Sequence, residues 1–275
     1  MRRCKIATLD IAIFQTADIA ASSAKLDYLL SQAKAKRCEI AVLGEYVLSP
    51  FFKELESTPI KEIREIHIAQ QENLKKLAQI YNIYIVAPLI TVQKNKIYKS
   101  IFLFTPNRSL CYDQRIFMDY PHWNEARFFA APRASSTPFF FTLKGFKIGV
   151  IAGFELHFDA LWQSMIDRGI DAAIAVTANT FESFARWQTL VKSRSFTAGS
   201  YLLRANRVGE CSADDQSWLF YGNSLICNPM GEIENALDER EGIVLAEIDK
   251  KAIKEAKESF RFNKIWRRQT QEKMS

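Results

Sequence analysis

Short apolar runs that alternate with helical periodicities constrain this chain more than any other feature. Ile6 to Phe14 has the run of a strand, and the stretch 22–37 then sets Leu26, Leu29, Leu30 and Ala33 on one helical face. Ile40 to Leu43 forms a buried strand that ends at Gly44-Glu45. A second helix follows, with Ile63, Ile66, Leu74, Leu77 and Tyr81 in its apolar stripe. Strands are expected at 83–90, 97–105 and 110–117, the last two joined by a turn at Pro106-Asn107-Arg108. The second half repeats the rhythm: strand 146–152, helix 158–168, strand 171–177, helix 184–199, strand 201–206. Strands near 220–228 and 243–249 and a Lys/Glu-rich helix close it. Unbroken alternation of this kind predicts a layered α/β domain, and the two similar halves suggest a pseudo-duplicated sandwich. At 275 residues one large core suffices, so a single domain over 1–275 is expected.

Composition removes several function classes. Net charge is +6, but Lys and Arg alternate with Glu and Asp along most of the chain, as on an ordinary solvated surface. There is no basic stripe or aromatic RNA-binding motif, so no nucleic-acid partner is expected. No apolar run reaches the ~18–20 residues needed to span a bilayer, so no membrane partner is expected either. Met1-Arg-Arg-Cys-Lys is basic, but Asp10 interrupts the apolar stretch after it, which argues against a signal peptide. Five cysteines (4, 38, 111, 211, 227) form no CxxC pair. Four of them lie in strand-like runs and only Cys211 lies outside one, which fits reduced thiols in a cytoplasmic protein. With three scattered histidines, neither a metal site nor an organic cofactor is implied.

Function enters at the end of the strand 146–152. The sequence Ala152-Gly-Phe-Glu-Leu-His-Phe-Asp-Ala-Leu161 resembles the nucleophile elbow of the nitrilase, or carbon–nitrogen hydrolase, superfamily, where the pattern is close to I-C-Y-D-L-R-F-P-E-L. Other segments match that family in order. Val42-Leu-Gly-Glu45 is similar to the segment carrying the general-base glutamate, and Leu110-Cys-Tyr-Asp-Gln-Arg-Ile-Phe117 to the Y-D-K-x-H-L segment carrying the lysine. Asn124-Glu125 through Pro132 is similar to the segment whose glutamate supports that lysine. Thr177-Ala-Asn179 with Trp187, Ser193-Arg194, Ala205-Asn206 with Gly209, Gly222-Asn-Ser224 and Asn228-Pro-Met-Gly231 complete the series. The resemblance covers about residues 4 to 262. It implies a four-layer α-β-β-α sandwich, a homodimer or higher homo-oligomer with the tail from about residue 250 at a dimer contact, and a pocket for a small amide, acid or amine.

The family's chemistry uses a thiolate that attacks the carbonyl carbon, a glutamate that moves the proton, and a lysine that stabilises the oxyanion. Carried onto this chain, those positions are Gly153, Glu45 and Gln114. Glu125, Phe154 and Asn179 are the expected substrate-binding positions. Gly153 has no side chain and Gln114 has no charge. Arg115 is next to Gln114, but strand alternation turns it to the opposite face. Two readings therefore stand. The first is a catalytically inactive homologue with an enlarged pocket, in which Glu45 has lost its ammonium partner and burial raises its pKa. The second is an amidohydrolase of a small amide or carbamoyl group with relocated machinery, either Cys211 or a water activated by Glu45. Glu155 and His157 are expected to support the elbow. Phe51, Phe52, Phe128, Phe129 and Phe154 are expected to be core before lining.

Overall fold

The computed structural model describes residues 7–20, 22–133, 138–213 and 215–271. Its first half runs β1 (Thr8–Gln15), α1 (Ser23–Ala35), β2 (Ile40–Leu43), α2 (Phe52–Leu55), α3 (Ile60–Tyr81), β3 (Tyr84–Gln93), β4 (Lys96–Phe104) and β5 (Ser109–Asp113). Two short strands, β6 (Asp119–Tyr120) and β7 (Trp123–Asn124), lead to α4 (Glu125–Phe128). The second half runs β8 (Phe140–Leu143), β9 (Phe146–Ala152), α5 (Asp159–Asp167), β10 (Ala172–Thr177), α6 (Phe184–Ala198) and β11 (Tyr201–Asn206). It ends with a ribbon of β12 (Val208–Ala213) and β13 (Gln216–Tyr221), then β14 (Leu225–Cys227), β15 (Ile233–Ala236), β16 (Gly242–Asp249), α7 (Lys250–Phe260) and α8 (Phe262–Gln271).

Two six-stranded sheets of the same design result, ordered β16-β1-β2-β3-β4-β5 and β15-β14-β11-β10-β9-β8. In each, three neighbouring strands are parallel (β1, β2 and β3; β9, β10 and β11) and the outer ones antiparallel. Alternation sorts each strand between two cores. Ile11, Ile13, Val42, Ile148, Val150, Ile174, Val176 and Leu203 pack between the sheets. Ala12, Phe14, Ala41 and Leu43 face α1 and α3, while Ile151, Ala173, Ala175 and Leu202 face α5 and α6. With both faces covered, the central strands are apolar throughout, which is why they appear in the sequence as continuous runs. The layers are α-β-β-α.

Three local expectations are corrected. β5 stops at Asp113 rather than 117, because the backbone N–H groups of Arg115 and Ile116 donate to the Glu155 carboxylate instead of to a strand. The strand expected at 220–228 is two strands, broken where Gly222 and Asn223 turn through φ of 70° and 60°. Cys211 lies inside β12 and is buried, so it is no loop thiol; Cys38 instead occupies the turn before β2. Cys4 lies outside the described residues.

Candidate active site

Glu45 follows β2, where the end of the first sheet meets the end of the second: its backbone N–H donates to the Thr177 carbonyl at 3.1 Å. Tyr46 is held at φ 53°, and its carbonyl accepts from Arg207 Nη1 at 2.8 Å. A backbone fixed in this uncommon region aims Glu45 inward and Tyr46 across the site. Glu45 is 3% exposed, and its Oε2 is 3.1 Å from the Nζ of Lys99. The same ammonium donates to Glu125 Oε1 at 2.7 Å, and the Tyr46 hydroxyl donates to that same oxygen. Lys99 also sits 4.8 Å above the Tyr46 ring. Two carboxylates, one ammonium and one phenol thus form a closed buried cluster.

The ammonium comes from a residue that no local motif marks. By motif Gln114 takes the lysine position, which leaves Glu45 without a cation. In the structure Gln114 N–H donates to the Lys99 carbonyl at 2.8 Å, continuing the β4–β5 ladder in which Ser100 faces Asp113. Cross-strand partners share a face, so Lys99 enters the site from the strand beside Gln114. The positive charge comes from the neighbouring strand, and the expected loss of Glu45's partner is corrected. The sequence does contain a signal for it. Lys99 is in phase with Ile101 and Leu103, which pack between the sheets, and a lysine on such a face requires a buried anion.

The electrostatics follow from burial. Burial pushes Glu45 up to about 7 despite the lowering effect of Lys99. Burial alone would depress Lys99, but Glu125 and then Glu45 outweigh it and hold the ammonium above its ordinary value. Tyr46 is driven well above its ordinary range, first by burial and then by Glu125.

Gly153 closes β9, with its N–H donating to the Val176 carbonyl at 2.7 Å. Its amide also lies near enough to Glu45 to favour that carboxylate's anion. The backbone at φ −56°, ψ −49° is ordinary right-handed geometry, so a glycine is not required for conformation. It is required for space. A Cβ built here would lie 2.4 Å from Thr177 Cγ2 and 2.7 Å from the Val176 carbonyl oxygen. The expected enlargement of the pocket at this position is therefore corrected: Thr177 and the β10 backbone occupy the volume.

The other candidate residues take varied places. Gln114 is buried, with its Nε2 on the Ile116 carbonyl at 2.8 Å and its Oε1 unpartnered among the described residues. Arg115 is exposed, and only its backbone serves the elbow. Glu155 is fully buried and pushed up to about 7 by burial; it ties the elbow to the chain after β5 through Arg115 N at 2.6 Å and Ile116 N at 3.2 Å. Phe154 is half-buried beside Tyr120, His157 and Phe158. Asn179 turns its Oδ1 to the buried Arg204 at 2.9 Å. His157 bonds the Phe154 carbonyl and packs on Trp187 rather than pairing with Glu45. Phe51, Phe52 and Phe129 are core, packed with Tyr46 and Trp123. Cys211 is pushed up to about 12 by burial. Among the described residues no group of three or more His, Cys, Asp and Glu is placed to hold a metal.

A carbon–nitrogen hydrolase family model matches residues 5–258. The chain belongs to the carbon–nitrogen hydrolase family. It is 26% identical to an omega-amidase of Xenopus laevis over 249 residues, 87% of each chain. It is also 24% identical to a 2-oxoglutaramate amidase of Bacillus subtilis, over 69% of this chain and 71% of that one. The crystal structure of a carbon–nitrogen hydrolase from Helicobacter pylori superposes with a TM-score of 0.84 at 20% identity, covering 94% and 95% of the two chains. This member of the family thus has the α-β-β-α sandwich, with a glutamate and an ammonium in contact beside Gly153.

Proposed function

We propose that this carbon–nitrogen hydrolase-fold chain does not cleave C–N bonds by a thiolate route, and that it serves as a non-catalytic homologue with a ligand-binding or interaction role. The observation that carries this reading is Gly153: no attacking atom stands at the elbow, and Thr177 Cγ2 and the Val176 carbonyl occupy the space where its Cβ would start. Loss of a nucleophile leaves ~10³–10⁴-fold over water at best in enzymes of this logic. The burial of Cys211 and its raised pKa also argue against a transferred role, because only the thiolate attacks. On this reading Glu45, Lys99 and Glu125 persist because each buried charge needs the others, which is a structural reason for retention.

A second reading has one observation in its favour. Glu45 near neutrality and Lys99 beside it are the base and cation that water-mediated amide hydrolysis would need. The names of the relatives supply the test substrates. The purified chain is incubated with 2-oxoglutaramate and with simple primary amides while ammonia release is followed. The proposal expects no release above that of a Glu45→Gln variant; turnover that vanishes in that variant would establish the water-based hydrolase instead.

A further inference from the structure

Arg204 is a charged side chain inside an apolar layer. It follows Leu202 and Leu203 on β11, in register with Ala175 of β10, and shares the side of the sheet that Ala175 and Leu202 turn to α5 and α6. It has no exposed surface. A buried guanidinium ordinarily has a carboxylate against it, because desolvating an unbalanced charge is costly. Among the described residues no Asp or Glu pairs with Arg204, and its partners are neutral. Nε donates to Thr177 Oγ1 at 3.3 Å, Nη1 to the Asn223 carbonyl at 3.4 Å, and Nη2 to Asn179 Oδ1 at 2.9 Å and to the Tyr221 hydroxyl at 2.7 Å. The ring centroids of Trp187 and Tyr221 lie 5.0 and 5.3 Å from its Cζ. These contacts solvate the cation without cancelling its charge, and burial holds its pKa below the ordinary arginine value.

Asn179 links that charge to the outside. It lies just beyond the end of β10 and is half-buried. Arg204 can only donate, so it fixes Asn179 Oδ1 as the inner arm of the amide. Nδ2 is then the outer arm, with no acceptor among the described residues. The backbone of Asn179 is held as well: its N–H donates to Asn206 Oδ1 at 3.0 Å, and its carbonyl accepts from the Tyr221 N–H at 3.3 Å. A cavity of about 590 Å³ adjoins this cluster, with Tyr221 and Asn223 in its wall and Phe184 and Leu237 as apolar sides. On its rim Asp238 is paired with Arg240 at 2.6 Å, while Glu239 is exposed and has no cation partner among the described residues.

We infer that Asn179 and Arg204 form a recognition pair for the carboxylate of a small organic monoacid. Asn179 donates to the carboxylate through Nδ2. Arg204 acts from behind it as a positioning residue that also supplies the balancing charge. The ligand's apolar body occupies the cavity against Phe184 and Leu237, a volume and lining that suit an organic acid rather than an inorganic anion. Glu239 at the rim disfavours a second carboxylate. This inference deepens the ligand-binding role proposed above, and rests on it, by naming the class of ligand.

The test compares 3-phenylpropanoate with 3-phenylpropanamide, which share a shape and differ in charge, by ligand-observed NMR titration of the full chain at neutral pH. The acid is expected to bind at least about 10-fold more tightly, the factor for ~1.4 kcal/mol, which is the low end of what a hydrogen bond backed by a charge contributes. Arg204→Met should erase that preference and Arg204→Lys should restore part of it, which a purely structural arginine would not do. Asn179→Asp is the second variant, since it gives Arg204 a carboxylate from within the chain. It should unfold at a higher temperature than wild type and lose the preference for the acid. Failure of the wild type to bind the acid overturns the proposal. So does equal binding of acid and amide, or a preference that survives in Asn179→Asp. Ammonia release from an amide by a chain that keeps the acid preference would overturn the non-catalytic reading and leave the recognition pair standing.

Discussion

Gly153→Ala adds one methyl group at the position on which the functional reading turns. Backbone preference favours the change: at φ −56°, ψ −49° alanine is at ease, and losing a glycine commonly stabilises by ~0.4–1 kcal/mol. Sterics oppose it. The new Cβ would sit 2.4 Å from Thr177 Cγ2 and 2.7 Å from the Val176 carbonyl oxygen. The second of these contacts is backbone, fixed by the β9–β10 ladder in which Ala152 faces Val176. Overpacking of a fitted interior costs about 1–3 kcal/mol. The steric cost wins, and a net destabilisation of ~1–2 kcal/mol is expected. At ~2–4 °C per kcal/mol for a chain of this size, the midpoint should fall by roughly 2–8 °C. Calorimetry of four proteins (wild type, Gly153→Ala, Thr177→Ser and the double variant) isolates the cause. Thr177→Ser removes Cγ2, so the double variant should recover part of the loss, with a coupling of about 0.5 kcal/mol or more. The Val176 carbonyl should withhold the rest. A Gly153→Ala protein that unfolds at or above the wild-type temperature would refute the reasoning, because the space beside the elbow would then be open.

Lys99→Met leaves Glu45 and Glu125 buried without their shared cation. Breaking such a cluster costs about 3–5 kcal/mol, so denaturant unfolding should show a loss of that order; a loss below about 1 kcal/mol would mean that Lys99 does not bridge the carboxylates. Glu45 and Glu155 both stand at about 7 in the folded chain, against ~4.3 when unfolded. Between those values the folded state binds more protons, so their contribution is full below about 4.3 and is lost as pH rises through 7. Denaturation from pH 4.5 to 8 should therefore give a shallower decline in Glu155→Gln than in wild type, and identical slopes would contradict the assignment.

How far the sequence can be read differs between the layers and the site. The central strands are legible because burial on both faces makes them continuous apolar runs, as in Ile40–Leu43 and Phe146–Ala152. The end of β5 is not, because Glu155, forty residues away, captures the amide groups beyond it. Glu45, Glu125 and Gly153 can each be located from a local motif, since each lies at the end of its own element. Lys99 cannot be found in this way. Anchoring the lysine on Tyr112-Asp113 confines the search to one strand, while the charge arrives through lateral pairing with the next. Its trace in the sequence is a charged residue in phase with Ile101 and Leu103. The role of Thr177 is also hidden, because it depends on the register of β9 against β10. The burial of Cys211 reflects the β12–β13 ribbon, which the alternating α/β rhythm does not announce.

The central claim is that no sulfur of this chain attacks a carbonyl or nitrile carbon at the old elbow. Intact-mass spectrometry after incubation with an electrophilic acyl or nitrile probe measures this directly, with iodoacetamide reporting general thiol reactivity. Burial pushes Cys38, Cys111 and Cys227 up to about 11 and Cys211 up to about 12, so every one of these thiols should react slowly. Cys111, the exposed one of the four, should lead under iodoacetamide, and the acyl probe should leave no adduct. A single fast adduct mapped to Cys211, formed together with ammonia release from an amide, would contradict the account.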